Sequence, residues 1–102
     1  MQLAPHEVER LLLFSASELA RRRLREGVPL SHPDCVALAC DTVLERARAG
    51  ASYAEASAAA RGIVRREQLA PGVAELLDAP LQVEAAFGDG SRLVALEGLV
   101  AA

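Results

Sequence analysis

His32, Asp34, Cys35, Cys40 and Asp41 fall within ten residues of one another, and imidazole, carboxylate and thiolate are the groups that hold transition metals. Their spacing argues against such a site. On a helix, five residues separate Cys35 and Cys40 by a rise of about 7.5 Å and a rotation of about 140°. The two sulfurs therefore leave on different faces, too far apart for a shared metal or a disulfide. They read as small, reduced core residues, with His32 a surface or interface residue in the first helical turn. His6 has no neighbouring partner and is expected to be exposed.

Arg21-Arg22-Arg23-Arg25 is the densest charge cluster. One reading is a phosphate-contacting patch, as in a small helical nucleic-acid-binding regulator. The other is a helix end where cations offset the dipole and Glu18 pairs with Arg22. The acidic net charge of −3 and the lack of exposed aromatics favour the second. Ser15 and Ser17 have no base in a recognisable motif, and Gly88-Asp89-Gly90 is turn chemistry with glycine supplying positive φ. With two histidines, no lysine and no convergent polar group, the chain is a poor candidate for independent catalysis.

The elements that would carry these residues follow from periodicity. Pro5 opens a first helix, with Glu7 near its positive end, and Gly27 with Pro29 closes it after Glu26. Val8, Leu11, Leu12, Ala16, Leu19 and Ala20 form its central stripe, widened by Leu13 and Phe14. That arc exceeds half the circumference, more than one packed face requires, so a second chain is expected on one side. Ser31-His32-Pro33-Asp34 is a capping box that starts a second helix ending at Gly50. Its stripe is Val36, Cys40, Val43, Leu44 and Ala47. Ser52 with Glu55 starts a third helix, expected to reach about Val64, and a short fourth helix or turn lies between Glu67 and Leu77, broken by Pro71-Gly72.

From Leu81 the period becomes two. Leu81, Val83, Ala85 and Phe87 face one way, Gln82, Glu84 and Ala86 the other, and Arg92 to Leu96 runs back after a glycine-containing turn. The expected fold is α+β: about four helices over residues 5–77 and an antiparallel hairpin over 81–97, in a single domain spanning 1–102. A chain this short buries roughly 60–65% of its unfolded surface. The hydrophobic share of 52% includes twenty-one alanines and only three aromatic residues. The core must then rest on Leu, Val, Ile63 and Phe14, and the domain is expected to be incomplete alone. No segment approaches the ~20 apolar residues of a membrane span. The N-terminus has no signal-peptide pattern, so the cytoplasm is the expected compartment.

Five segments in order resemble the gamma subunit of bacterial nickel ureases. Leu3-Ala4-Pro5-His6-Glu7 with Leu11-Leu12-Leu13-Phe14 is similar to the family's Leu-Thr-Pro-x-Glu and Leu-Leu-Leu-Phe. Leu30-Ser31-His32-Pro33-Asp34 with Ala37-Leu38, then Leu44-Glu45-x-Ala47-Arg48-x-Gly50, and Gly72-Val73-x-Glu75 follow in register. Gln82-Val83-Glu84-Ala85-x-Phe87-x-Asp89-Gly90-Ser91-Arg92-Leu93-Val94 resembles the family's hairpin most closely. Ala4 stands where the family has a capping threonine, at an expected cost of about 1 kcal/mol. Gly88 replaces the turn proline, Ala70-Pro71 departs from the usual pair, and the end Leu96-Glu97-Gly98-Leu99-Val100 lacks the family's histidine and proline.

The resemblance implies a non-catalytic structural subunit in a trimer of αβγ heterotrimers, which hydrolyses urea to ammonia and carbon dioxide. It places two nickel ions, bridged by a carbamylated lysine, in the alpha subunit, with no ligand, cofactor or catalytic residue in gamma. A chain without lysine could not supply that bridge. The candidate interface residues are Leu12, Leu13, Phe14, His32, Val83, Phe87 and Leu93. The competing readings are the nucleic-acid-binding regulator, a small independent enzyme, and a divergent copy with changed partners.

Overall fold

The computed structural model describes residues 1–102. Four helices, α1 (Pro5–Glu26), α2 (His32–Arg48), α3 (Tyr53–Ala59) and α4 (Val73–Leu76), precede the strands β1 (Leu81–Phe87) and β2 (Gly90–Leu96). The fold is α+β, as the periodicity indicated. A single 3₁₀ turn at Arg66–Gln68 and the one-turn α4 occupy the stretch interrupted by Pro71-Gly72.

α1 starts and stops where its punctuation predicts. The Glu7 carboxylate accepts the Ala4 N–H at 3.0 Å, but the Ala4 methyl cannot return a bond, so only half the capping box forms. At the other end Gly27 adopts φ 71°, where a Cβ would be strained. There the Gly27 N–H bonds the Leu24 carbonyl and the Val28 N–H the Arg23 carbonyl. α2 has a complete box: Ser31 Oγ accepts the Asp34 N–H at 3.3 Å, and Asp34 Oδ2 accepts the Ser31 N–H at 2.9 Å.

α2 is the central element. Nine of its 17 residues are buried, including Cys35, Leu38, Cys40 and Val43, and it packs against α1, α3 and β1. Burial on several sides explains why a single stripe described it incompletely. α3 ends at Ala59, short of the expected Val64. The C-terminal tail is the reason: the Gly62 N–H bonds the Gly98 carbonyl at 2.7 Å, Val64 bonds Leu99, and Ala101 bonds back to Val64. These bonds draw residues 62–64 out of helical geometry and into a parallel bridge between Val64 and Val100.

The hairpin register pairs Leu81 with Leu96, Val83 with Val94, Ala85 with Arg92 and Phe87 with Gly90. Paired residues share a face, so Val83, Ala85, Phe87, Val94 and Leu96 lie on the core side. Positive φ in the turn region falls at Gly90 (118°), not Gly88. Tyr53 of α3 covers the hairpin tip, 5.9 Å from Phe87 between ring centroids, with the Arg92 guanidinium 4.3 Å from the tyrosine ring centre.

The core is small. Only 22 of 102 residues are buried, and its largest fully buried side chains are Leu30, Leu99, Val43, Val64 and Val94. No aromatic ring is among them. Phe14, expected in the core, is 48% exposed, and Ile63 packs half-buried against the core cluster.

Candidate interaction surface

The first helix is turned with its polar side inward. Arg21 Nη2 donates to Asp41 Oδ2 at 2.7 Å, and its Nη1 reaches Glu18 at 2.6 Å and Ser17 Oγ at 3.0 Å. Arg10 Nη2 lies 2.9 Å from the other Asp41 oxygen and 2.6 Å from Glu45. Arg23 Nη1 donates to Asp34 Oδ1 at 2.6 Å. Three α1 arginines thus hold two aspartates of α2 whose side chains are only 5–7% exposed. Between these pairs, Ser17 and Ala20 are the only buried α1 residues, and Leu13 and Leu24 pack half-buried beside them.

Burial works to raise the Asp41 carboxyl, but the hydrogen bond from Arg21 and the adjacent Arg10 guanidinium outweigh it and hold it below its ordinary value. Asp34 is likewise opposed by burial, yet held low by the bonds from Ser31 and then Arg23. Both aspartates are therefore committed anions. The cysteines are the opposite case: burial, with a smaller contribution from Asp34, pushes Cys35 up to about 11, and burial also raises Cys40. Neither is a thiolate near neutrality.

The apolar side of α1 faces outward as a consequence. Val8, Leu12 and Leu19 lie roughly 140–180° around the helix from Ser17. They are 42%, 64% and 44% exposed, with Leu11 (52%) beside Val8, while Phe14 (48%) is exposed on the other side, only about 60° from Ser17. Contiguous apolar surface of this kind marks a contact site on a soluble protein.

The predicted interface residues do not form one patch. Leu12 lies on the outward face of α1, Phe14 is exposed on a different side of the same helix only about 60° from Ser17, and Leu13 points to the core. His32, the first residue of α2, is half-buried. Val83 and Phe87 are half-buried on the core side of the hairpin, while Leu93, opposite Glu84, is 57% exposed on its outer side. Val8, Leu11 and Leu19 belong with Leu12 by exposure. Asp34 and Asp41 were missed as helix-joining residues, although an aspartate inside the apolar run Ala37 to Leu44 was the available signal.

Three of the four arginines in the cluster are paired within the chain, and Arg25 is exposed. Arg21 pairs with Asp41 and Glu18, Arg23 with Asp34, and Arg22 with Glu26 at 3.5 Å rather than with Glu18. His6 is exposed at the rim of an open cleft of about 740 Å³ between α1, α2 and β1, where Arg10 and Arg48 face Glu9, Glu45 and Glu84. These charges of both signs do not converge on a point. No group of three histidine, cysteine, aspartate or glutamate side chains could hold a metal. The carboxylates nearest the cysteines are already taken by arginine, so these residues do not fit a nickel centre.

A family model described as urease, gamma subunit, matches residues 1–100 of the chain. The chain belongs to the urease gamma-subunit family. The match spans all four helices and the hairpin, and it extends through the tail to Val100. That tail, where the urease gamma resemblance is weakest by motif, is structurally integral: Leu99 is 2% exposed and bonded to Val64. No helix of this urease gamma-family chain is long and apolar enough to cross a membrane.

Proposed function

We propose that this chain is a non-catalytic assembly subunit of urease, working in the cytoplasm as one part of an αβγ unit that trimerises. The reaction is hydrolysis of urea to ammonia and carbon dioxide, and the nickel ions belong to the alpha subunit. What carries this reading is the outward apolar face of α1, built from Val8, Leu11, Leu12 and Leu19. Obligate interfaces bury about 2,000 Å² or more in total. The α1 face supplies part of one side, and Leu93 on the hairpin extends the apolar surface elsewhere. Covering these side chains offsets the weakness of a core cluster of 17 buried residues.

The chemistry within the chain agrees with a scaffold role. Its buried carboxylates are bound to arginine, its thiols are held neutral, and it has no lysine. Co-expression with urease alpha and beta chains tests the reading. The expected result is a stable complex containing nickel and hydrolysing urea, with no activity from this chain alone. A chain that purifies without any larger companion, or that hydrolyses urea by itself, contradicts it.

A further inference from the structure

We infer that α1 is a separately opening arm, hinged at residues 27–29 and latched to α2 through Asp34 and Asp41, so that the free chain exchanges between latched and open states while the remaining fold stays intact. Four observations combine. Of the 17 buried residues in the core cluster, Ala20 alone comes from α1. The rest belong to Leu30, α2, the α3–α4 region, the hairpin and the tail. Removing α1 therefore leaves nearly the whole core assembled.

α1 also has one substantial neighbour. Its packing is with α2, whereas α2 is held in turn by α3 and β1. The contact itself consists of Ser17, Ala20, half-buried leucines and ion pairs, so little apolar area is lost on opening. Opening returns the Asp34 and Asp41 carboxylates to water. It does the same for Arg10 Nη1, which is buried and finds no acceptor within the chain.

The hinge has a defined boundary. Gly27 takes a left-handed conformation, and Val28 and Pro29 are exposed. The next residue, Leu30, is fully buried and fixed on both sides, its N–H to the Gln68 carbonyl at 2.8 Å and its carbonyl to the Ala70 N–H at 2.9 Å. Motion of α1 thus ends at an anchored residue and need not reach α2. Regions with few buried contacts open at lower free energy than the whole fold. Once open, α1 loses the tertiary packing that supplies most helix stability in proteins, so its amides exchange. The inference concerns the free chain and holds whether or not the urease assembly reading is correct.

Hydrogen exchange on the free full-length chain, read peptide by peptide, tests it. The expected result is exchange in α1 at least about tenfold faster than in the core of α2 and in the paired strands. Asp41→Asn should accelerate α1 by a further factor of about ten, the size expected for losing a charge-assisted bond, and leave α2 and the hairpin unchanged. Equal protection of α1 and α2 in the wild type, or an Asp41→Asn effect shared by both helices, would overturn the inference. So would a free chain with no protected α2 core.

Discussion

Arg21 and Asp41, twenty residues apart in sequence, meet at 2.7 Å across the α1–α2 contact. The same carboxylate is approached by Arg10 at 2.9 Å, so one aspartate fixes the rotation of α1 about its axis at two points. That rotation decides which side of the helix meets solvent. With the arginines inward, Leu12 and Leu19 are outward, and the polar latch and the apolar surface are two sides of one arrangement.

The latch has an acid signature. Asp34 and Asp41 titrate below the ordinary value of 3.8 in the folded chain. Their contribution is fully present above that value and is lost as pH falls through the lower folded values. Helix content and melting temperature measured from pH 6 to pH 2 should therefore hold and then drop below about pH 4. In the double variant Asp34→Asn/Asp41→Asn the drop should be shallower, starting from a lower stability. Glu55 and Glu67, also held low but on the surface, account for a residual slope. An unchanged acid transition in the double variant would remove the latch from the account.

The start of α1 lacks half its cap. Glu7 supplies one bond, and the Ala4 methyl leaves the N3 amide without a side-chain acceptor. Ala4→Ser restores the reciprocal pair seen at Ser31 and Ser52 and should stabilise α1 by about 1 kcal/mol. Urea unfolding monitored by helical circular dichroism measures this. The corresponding losses in Ser31→Ala and Ser52→Ala should be of similar size.

Much of the architecture was legible because its signals are local. Pro5 and Gly27 bracket α1, the boxes at Ser31 and Ser52 start α2 and α3, and the alternation Leu81 to Phe87 reads as a strand. What escaped is non-local. An apolar stripe does not say whether its cover belongs to the same chain, so the stripe of α1 could be counted but not oriented. Arg92 to Leu96 carries apolar residues on both faces, and only pairing with β1 puts Val94 inside and Leu93 outside. The end of α3 depends on a tail more than thirty residues downstream.

That tail supports the fold although it lies beyond the last strand. Leu99 is among the largest fully buried side chains, and its carbonyl accepts the Val64 N–H at 3.1 Å. Leu99→Ala should cost about 2–5 kcal/mol, enough to unfold a domain with so small a core at modest temperature. Thermal melting decides this. A melting temperature close to wild type would mean the tail is peripheral.

The hairpin tip is held by side chains rather than by length. Arg92 sits over the Tyr53 ring, which in turn packs on Phe87. Tyr53→Ala should destabilise by more than Arg92→Ala, the latter by about 0.5–1 kcal/mol, and both should increase amide exchange at residues 87–92. Unchanged exchange there would show that the turn alone fixes the tip.

The central claim is that the outward face of α1 is where a larger urease subunit sits. Leu12→Asp tests it most directly, because Leu12 is the most exposed residue of that face and makes no core contact. Co-purification of tagged wild-type and Leu12→Asp chains with their co-expressed partners is the measurement, with helical circular dichroism recording that the variant is folded. The account expects a folded variant that no longer brings down the large chain. A folded Leu12→Asp chain that recovers its partners in wild-type yield would contradict it.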